Sequence, residues 1–264
     1  MNLMPHLIAA PILLPLLTAA VMLMLGEKHR PLKAKINLFS SLVGLGIAVL
    51  LLQWTQDTGV PGSIGVYLPG NWQAPFGIVL VVDRLSALML VLTGIIGVSA
   101  LLFAMARWDG AGSSFHALFQ IQMMGLYGAF LTADLFNLFV FFEVLLAASY
   151  GLMLHGSGRS RVSAGLHYIS INLLASSLFL IGAALIYGVT GTLNMADLAL
   201  KIPLVPEADR GLLHAGAAIL AVAFLAKAGM WPLNFWLVPA YSAASAPVAA
   251  MFAIMTKVGV YTLL

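Results

Sequence analysis

Three ionisable side chains occupy positions where an apolar chain is costly to charge. Glu143 lies in the otherwise uncharged run FNLFVFFEVLLAASYGLM (136–153), Lys227 lies in FLAKAGMWPLNFW (224–236), and Lys257 lies ten residues beyond Pro247 in the last apolar stretch. A charge inside a bilayer costs at least about 2.5–3.5 kcal/mol, so it faces a partner, a cavity or an ion path. The chemistry open to a buried carboxylate and buried amines is proton exchange. Desolvation disfavours the charged form of each group, and an opposite charge within several ångströms restores it. A carboxylate that merely ties two helices together is the alternative reading for Glu143. Lys227 has two readings as well: a lysine in a hydrated site beside a helix break, or one that snorkels to an interface from an ordinary helix end.

The elements that must position these groups are membrane-spanning helices. The chain has 264 residues, of which 62% are hydrophobic and 8% charged, a composition foreign to a soluble domain. A spanning helix needs roughly 20 apolar residues. Charge-free runs such as 36–56 and 110–133 are too long for the short alternating strands of a membrane barrel. The expectation is an all-α polytopic membrane protein with about eight transmembrane helices, at 5–25, 36–54, 77–106, 115–133, 135–155, 163–189, 211–230 and 247–264. An outer loop at 55–76, with GVPGSIGVYLPGNWQAPFG at its centre, carries turn residues and interfacial aromatics and has room for a hairpin. TLNMADLALKI (192–202) reads either as an interfacial helix or as an ordinary loop helix.

Orientation follows from the basic residues. Lys28, Arg30, Lys33, Lys35, Arg107, Arg159 and Arg161 fall on one side and only Lys201 and Arg210 on the other, which puts the first side in the cytoplasm and the N-terminus outside. These residues form no single patch, so the net charge of +3 gives no reason to expect nucleic acid. The chain has no cysteine, which excludes disulfides, thiolate metal sites and iron–sulfur ligation. No His/Asp/Glu spacing suggests a metal, no phosphate-binding loop is present, and no cofactor is expected.

Proline in a helix removes a donor and clashes with the carbonyl four residues back, so Pro232 should interrupt the helix that carries Lys227. Glu143 lies about eight residues into its span, roughly 12 Å deep, and Lys257 about 15 Å deep. Tyr168, Asn172 and Ser176 share one helical face at i, i+4 and i+8 and read first as packing, secondarily as polar lining; His167, at the start of the same helix, reads first as an interfacial histidine and secondarily as a proton relay in that lining. Asp83 and Asp134 read as helix caps.

Four motifs in order, VDRLSALML, LTADLFNLFVFFEVLLAASYGLM, KAGMWPLNFWLVPAYSAASAPVAAM and TKVGVY, resemble the antiporter-like subunits shared by Mrp-type multisubunit cation/proton antiporters and respiratory complex I, most closely the Mrp D subunit. The resemblance runs from about residue 80 to the end. It implies fourteen helices with two inverted five-helix repeats, each holding a discontinuous helix. On that pattern 1–114 holds three N-terminal helices, 115–264 the first repeat, and the second repeat is absent, so the 264 residues read as part of a longer subunit. The resemblance assigns Glu143, Lys227 and Lys257 to proton transfer and Pro232 to the helix break. It departs after the break, where Asn234, Pro239 and Tyr241 stand in place of the His, Asp and His common among relatives.

The implied function is that of a membrane subunit, not an enzyme, in a Na+ or K+/proton antiporter of a bacterial plasma membrane, with other membrane subunits, protons, a monovalent cation and the lipid bilayer as partners. In the mechanism expected, approach of Glu143 holds Lys227 charged and withdrawal releases its proton toward Lys257, the groups titrating as a coupled set. Two other readings stay open: a proton-pumping subunit of a complex I type oxidoreductase, and a scaffold that conducts nothing.

Overall fold

The computed structural model describes residues 4–57 and 64–264. Helices α1 (Met4–Leu7), α2 (Ala10–Met24), α3 (Arg30–Asp57), α4 (Arg84–Arg107), α5 (Phe115–Leu131), α6 (Leu135–Leu154), α7 (Arg159–Thr190), α8 (Met195–Lys201), α9 (Glu207–Ala228), α10 (Leu237–Ala243) and α11 (Ala246–Tyr261) follow in order. By length and composition α3, α4, α6, α7 and α9 are long and apolar enough to cross a membrane, and α2 and α11 are shorter apolar helices. With α5 they occupy the eight expected positions. In space α7 runs along α9, α5 packs on α6, α3 on α4, and α2 on α5, while α11 touches α4, α5, α6 and α9.

Two boundaries differ most from the sequence reading. The second span begins at Arg30 instead of 36, because Pro31 sits at the start of the helix, where its missing N–H costs nothing, and Lys33 turns inward to Glu27 at 3.0 Å. The third begins at Arg84 rather than 77. Residues Leu80–Val82 form strand β2, paired antiparallel with β1 (Gly65–Tyr67), with Val66 opposite Val81. The β-branched Val79, Val81 and Val82 suit a strand, and the Val79 carbonyl also accepts from Ala133 N at 2.9 Å. Helix α4 then starts from a capping box: Asp83 accepts from Ser86 N at 2.7 Å and Ser86 Oγ accepts from Asp83 N at 2.8 Å. The loop at 55–76 therefore supplies only one strand of a hairpin, whose partner strand lies in residues that the sequence reading gave to the third span; residues 58–63 of that loop lie outside the described residues.

Asp134 caps α6 by accepting from Asn137 N at 2.8 Å. The segment TLNMADLALKI contains helix α8, capped by Asn194, whose side chain accepts from Ala196 N and Asp197 N at 3.1 Å each. Backbone bonds from Leu135 N to Leu193 O and from Met195 N to Ala133 O, both 2.9 Å, tie this segment to the turn between α5 and α6.

The discontinuity falls slightly ahead of Pro232. Helix α9 ends at Ala228 because Gly229 takes a left-handed conformation (φ 63). Gly229 N bonds Ala226 O and Met230 N bonds Leu225 O, both at 3.1 Å, which is a Schellman closure. The connection holding Pro232 then leads to the short helix α10. Trp236 Nε1 donates to the Ala226 carbonyl at 3.1 Å, so protein satisfies backbone exposed by the break, as a low-dielectric setting requires.

Candidate functional site

Lys227 occupies the last turn of α9, where the helix dipole favours a cation, and only 3% of its surface is exposed. A buried ammonium needs acceptors. Its Nζ donates to Ser176 Oγ on α7 at 3.0 Å, and the Ser176 hydroxyl donates in turn to Glu143 Oε1 on α6. The Phe142 ring lies 4.7 Å from Nζ, in cation–π range. Phe142 and Phe224 both stand edge-on to Phe179, with ring centroids at 5.9 and 5.0 Å, so the ring that faces the lysine belongs to an aromatic cluster. Glu143 is half-buried. Three neighbouring helices thus bring an amine, a hydroxyl and a carboxylate into one hydrogen-bonded series.

The carboxylate and the ammonium do not pair directly. The ion pairs among the described residues are Lys33–Glu27, His116–Asp109 and Lys201–Asp197, all elsewhere. By spacing alone Ser176 belongs with Tyr168 and Asn172 in a packing stripe. Tyr168 and Asn172 fit that reading: Asn172 Nδ2 bonds the Tyr168 carbonyl at 2.9 Å, and the Tyr168 ring stacks on Phe252 and leans on Trp236. Ser176 differs, because one more helical turn brings it level with Lys227 and Glu143.

Toward the C-terminal end of α6, Ser149 Oγ and Tyr168 OH share a hydrogen bond of 2.7 Å, and the Tyr150 ring meets Tyr168 edge-on at 5.6 Å. The Tyr150 hydroxyl is buried with no hydrogen-bond partner among the described residues. His167 packs on Phe235 at 5.9 Å and lines a cavity of about 520 Å³ with Ser160, Ser163 and Ser242. Lys257 is not brought to this cluster: its side chain is exposed on α11 and makes no ion pair among the described residues.

Sequence reasoning does not single out Phe142. Nor does it find a second buried network, in which Asn37 Nδ2 meets His116 Nδ1 at 3.0 Å and Gln120 Nε2 donates to Asn37 Oδ1 at 2.7 Å and Ser41 Oγ at 3.1 Å. A signal exists for it: Asn37/Ser41 and His116/Gln120 are i, i+4 polar pairs on two apolar helices, one face each. Just past the end of α6, His155 donates from Nε2 to the Trp108 carbonyl at 2.9 Å. Burial pushes the His155 imidazole below its ordinary pKa, partly opposed by that carbonyl. Among the described residues no group of three or more His, Asp or Glu side chains is placed to hold a metal ion.

Residues 132–264 match the family described as NADH:quinone oxidoreductase/Mrp antiporter, TM. The chain is 59% identical over 98% of its length to the D component of a probable K(+)/H(+) antiporter of Rhizobium meliloti, covering 48% of that protein. It is 41% identical over 99% of its length to the D component of a Na(+)/H(+) antiporter of Alkalihalophilus pseudofirmus, covering 52% of it. Its fold superposes along its whole length on a chain of the Mrp complex from Dietzia sp. with a TM-score of 0.87 and 36% identity, covering 48% of that chain. The chain therefore spans about half the length of the relatives it matches.

Proposed function

The chain belongs to the NADH:quinone oxidoreductase/Mrp antiporter transmembrane family, and from that premise we propose that it works as part of a membrane subunit of a monovalent cation/proton antiporter, moving protons among Glu143, Lys227 and Lys257. The observation that carries this reading is the buried Lys227, held to Glu143 through one hydroxyl in helices of membrane-spanning length. Such a lysine has no structural need for charge, since a leucine would pack at far lower cost. A carboxylate close by stabilises its protonated state, and any displacement of α6 relative to α9 weakens that support and favours release.

Lys257 is the next acceptor in this scheme. An exposed lysine on a transmembrane helix is costly against lipid, so its side is proposed to meet a hydrated cavity or a neighbouring protein surface. The subunit is proposed to lie in a bacterial plasma membrane with its N-terminus outside, as the seven basic residues on the opposite side favour. It is proposed to assemble with other membrane subunits, its residues 115–264 forming the first of two repeats.

The test is cation-induced dissipation of a proton gradient in everted vesicles carrying the full subunit in its complex, comparing wild type with Glu143→Ala and Lys227→Ala at matched levels of assembled complex. The expected result is loss of exchange with assembly intact, and the cation that responds in wild type names the substrate. Wild-type exchange in both variants would refute the role and leave a scaffold.

A further inference from the structure

We propose that Ser176 is a proton relay between Lys227 and Glu143; this rests on the proton-transfer reading above and assigns a role to a residue that neither charge nor motif singles out. The hydrogen bonds have a fixed direction. An ammonium can only donate and an ionised carboxylate can only accept, so the group between them must do both. Ser176 does: its oxygen accepts from Lys227 Nζ at 3.0 Å while its hydrogen is aimed at Glu143 Oε1.

Transfer follows in one concerted step. The bond from Lys227 Nζ to one of its protons breaks as that proton binds Ser176 Oγ, and the original hydroxyl proton passes to Glu143 Oε1. Lysine ends as a neutral amine, glutamate as a carboxylic acid, and serine is unchanged; reversal recharges the lysine. No direct contact between carboxylate and ammonium is required, which matches the lack of an ion pair between them among the described residues. Ser176 is only 5% exposed and the Phe142 ring lies 4.7 Å from the lysine nitrogen, so the hydroxyl is the hydrogen-bonding bridge among the described residues. Movement of α7 by a fraction of a turn would open both bonds together, which makes α7 a gate as well as a wall.

Positioned proton transfer is worth about 10²–10⁴-fold in rate. In the vesicle assay at matched assembly, Ser176→Ala is expected to lower the maximal exchange rate by about tenfold or more, with the cation concentration for half-maximal rate changed less than about twofold. Ser176→Thr, which keeps a hydroxyl, restores most of the rate, and Ser176→Cys, with a weak donor and weak acceptor, falls between. Glu143→Ala and Lys227→Ala are run in parallel. If those two lose exchange while Ser176→Ala keeps the wild-type rate, the relay is refuted and the underlying pair survives. If both also keep it, the proton-transfer reading fails first. If Thr fails to rescue Ala, or if Ala fails to assemble, Ser176 acts through packing and the relay is overturned.

Discussion

Gly259 on α11 faces the end of α9 where Lys227 sits, and replacing it by alanine tests whether the break is held in place from outside. A Cβ at 259 would lie 2.5 Å from Ala228 N, 2.8 Å from Ala228 Cα and 2.9 Å from the carbonyl carbon of Lys227. All three are backbone atoms, so no side chain can rotate away. Ordinary contact begins at 3.4 Å, so α11 or the end of α9 must shift by about 0.9 Å, the difference between 3.4 and 2.5 Å. If the end of α9 yields, the 3.0 Å bond from Lys227 Nζ to Ser176 Oγ lengthens toward about 3.9 Å, beyond hydrogen-bond reach. Overpacking of this kind costs about 1–3 kcal/mol. A misplacement of about 1 Å can cost on the order of 10²-fold in rate, so exchange should fall well before assembly does. The assay is gradient dissipation in vesicles at matched complex, with thermal unfolding of the purified complex alongside. Gly46→Ala on α3, where a Cβ would meet nothing within 4 Å, is the control: it should leave exchange unchanged and should not lower the melting temperature, since alanine favours the helix by about 0.4–1 kcal/mol. A Gly259→Ala complex with wild-type rate and wild-type melting would refute the claim that α11 fixes the position of Lys227.

Asp83→Ala removes the capping box of α4, with its 2.7 and 2.8 Å bonds, and should cost about 1 kcal/mol, lowering the thermal midpoint by about 2–4 °C while leaving exchange per assembled complex unchanged. His155 has a lowered pKa in the folded chain, so the unfolded chain binds its proton more tightly; stability should therefore fall as pH drops below the ordinary value of 6.5. His155→Gln, which keeps an N–H donor for the Trp108 carbonyl, should flatten that decline below pH 6.5, and melting curves of equal pH dependence in the two proteins would count against it.

Much of the architecture is local in origin, and the sequence determined it. Each span is set by the transfer of some 20 apolar residues out of water, a sum over neighbours along the chain that needs no knowledge of the fold. Asp83 and Asp134 cap their helices through atoms three residues away, and Gly229 with Pro232 ends α9 through backbone geometry. The charges Glu143, Lys227 and Lys257 are conspicuous for the same reason, since burying any of them is costly wherever the helix packs. Residues 77–83 show where this stops: their apolar run suits a helix or a strand equally, and pairing with 65–67 and with the α5–α6 turn decided for the strand. What only the tertiary structure decided is which groups meet. Ser176 on α7 lies 33 residues from Glu143 on α6 and 51 from Lys227 on α9, and Gly259 reaches the same point from α11. Their meeting depends on the depth and rotation of each helix against the others. Those are fixed by packing between helices, where a turn more or less moves a side chain about 5 Å along the axis without altering the apolar pattern.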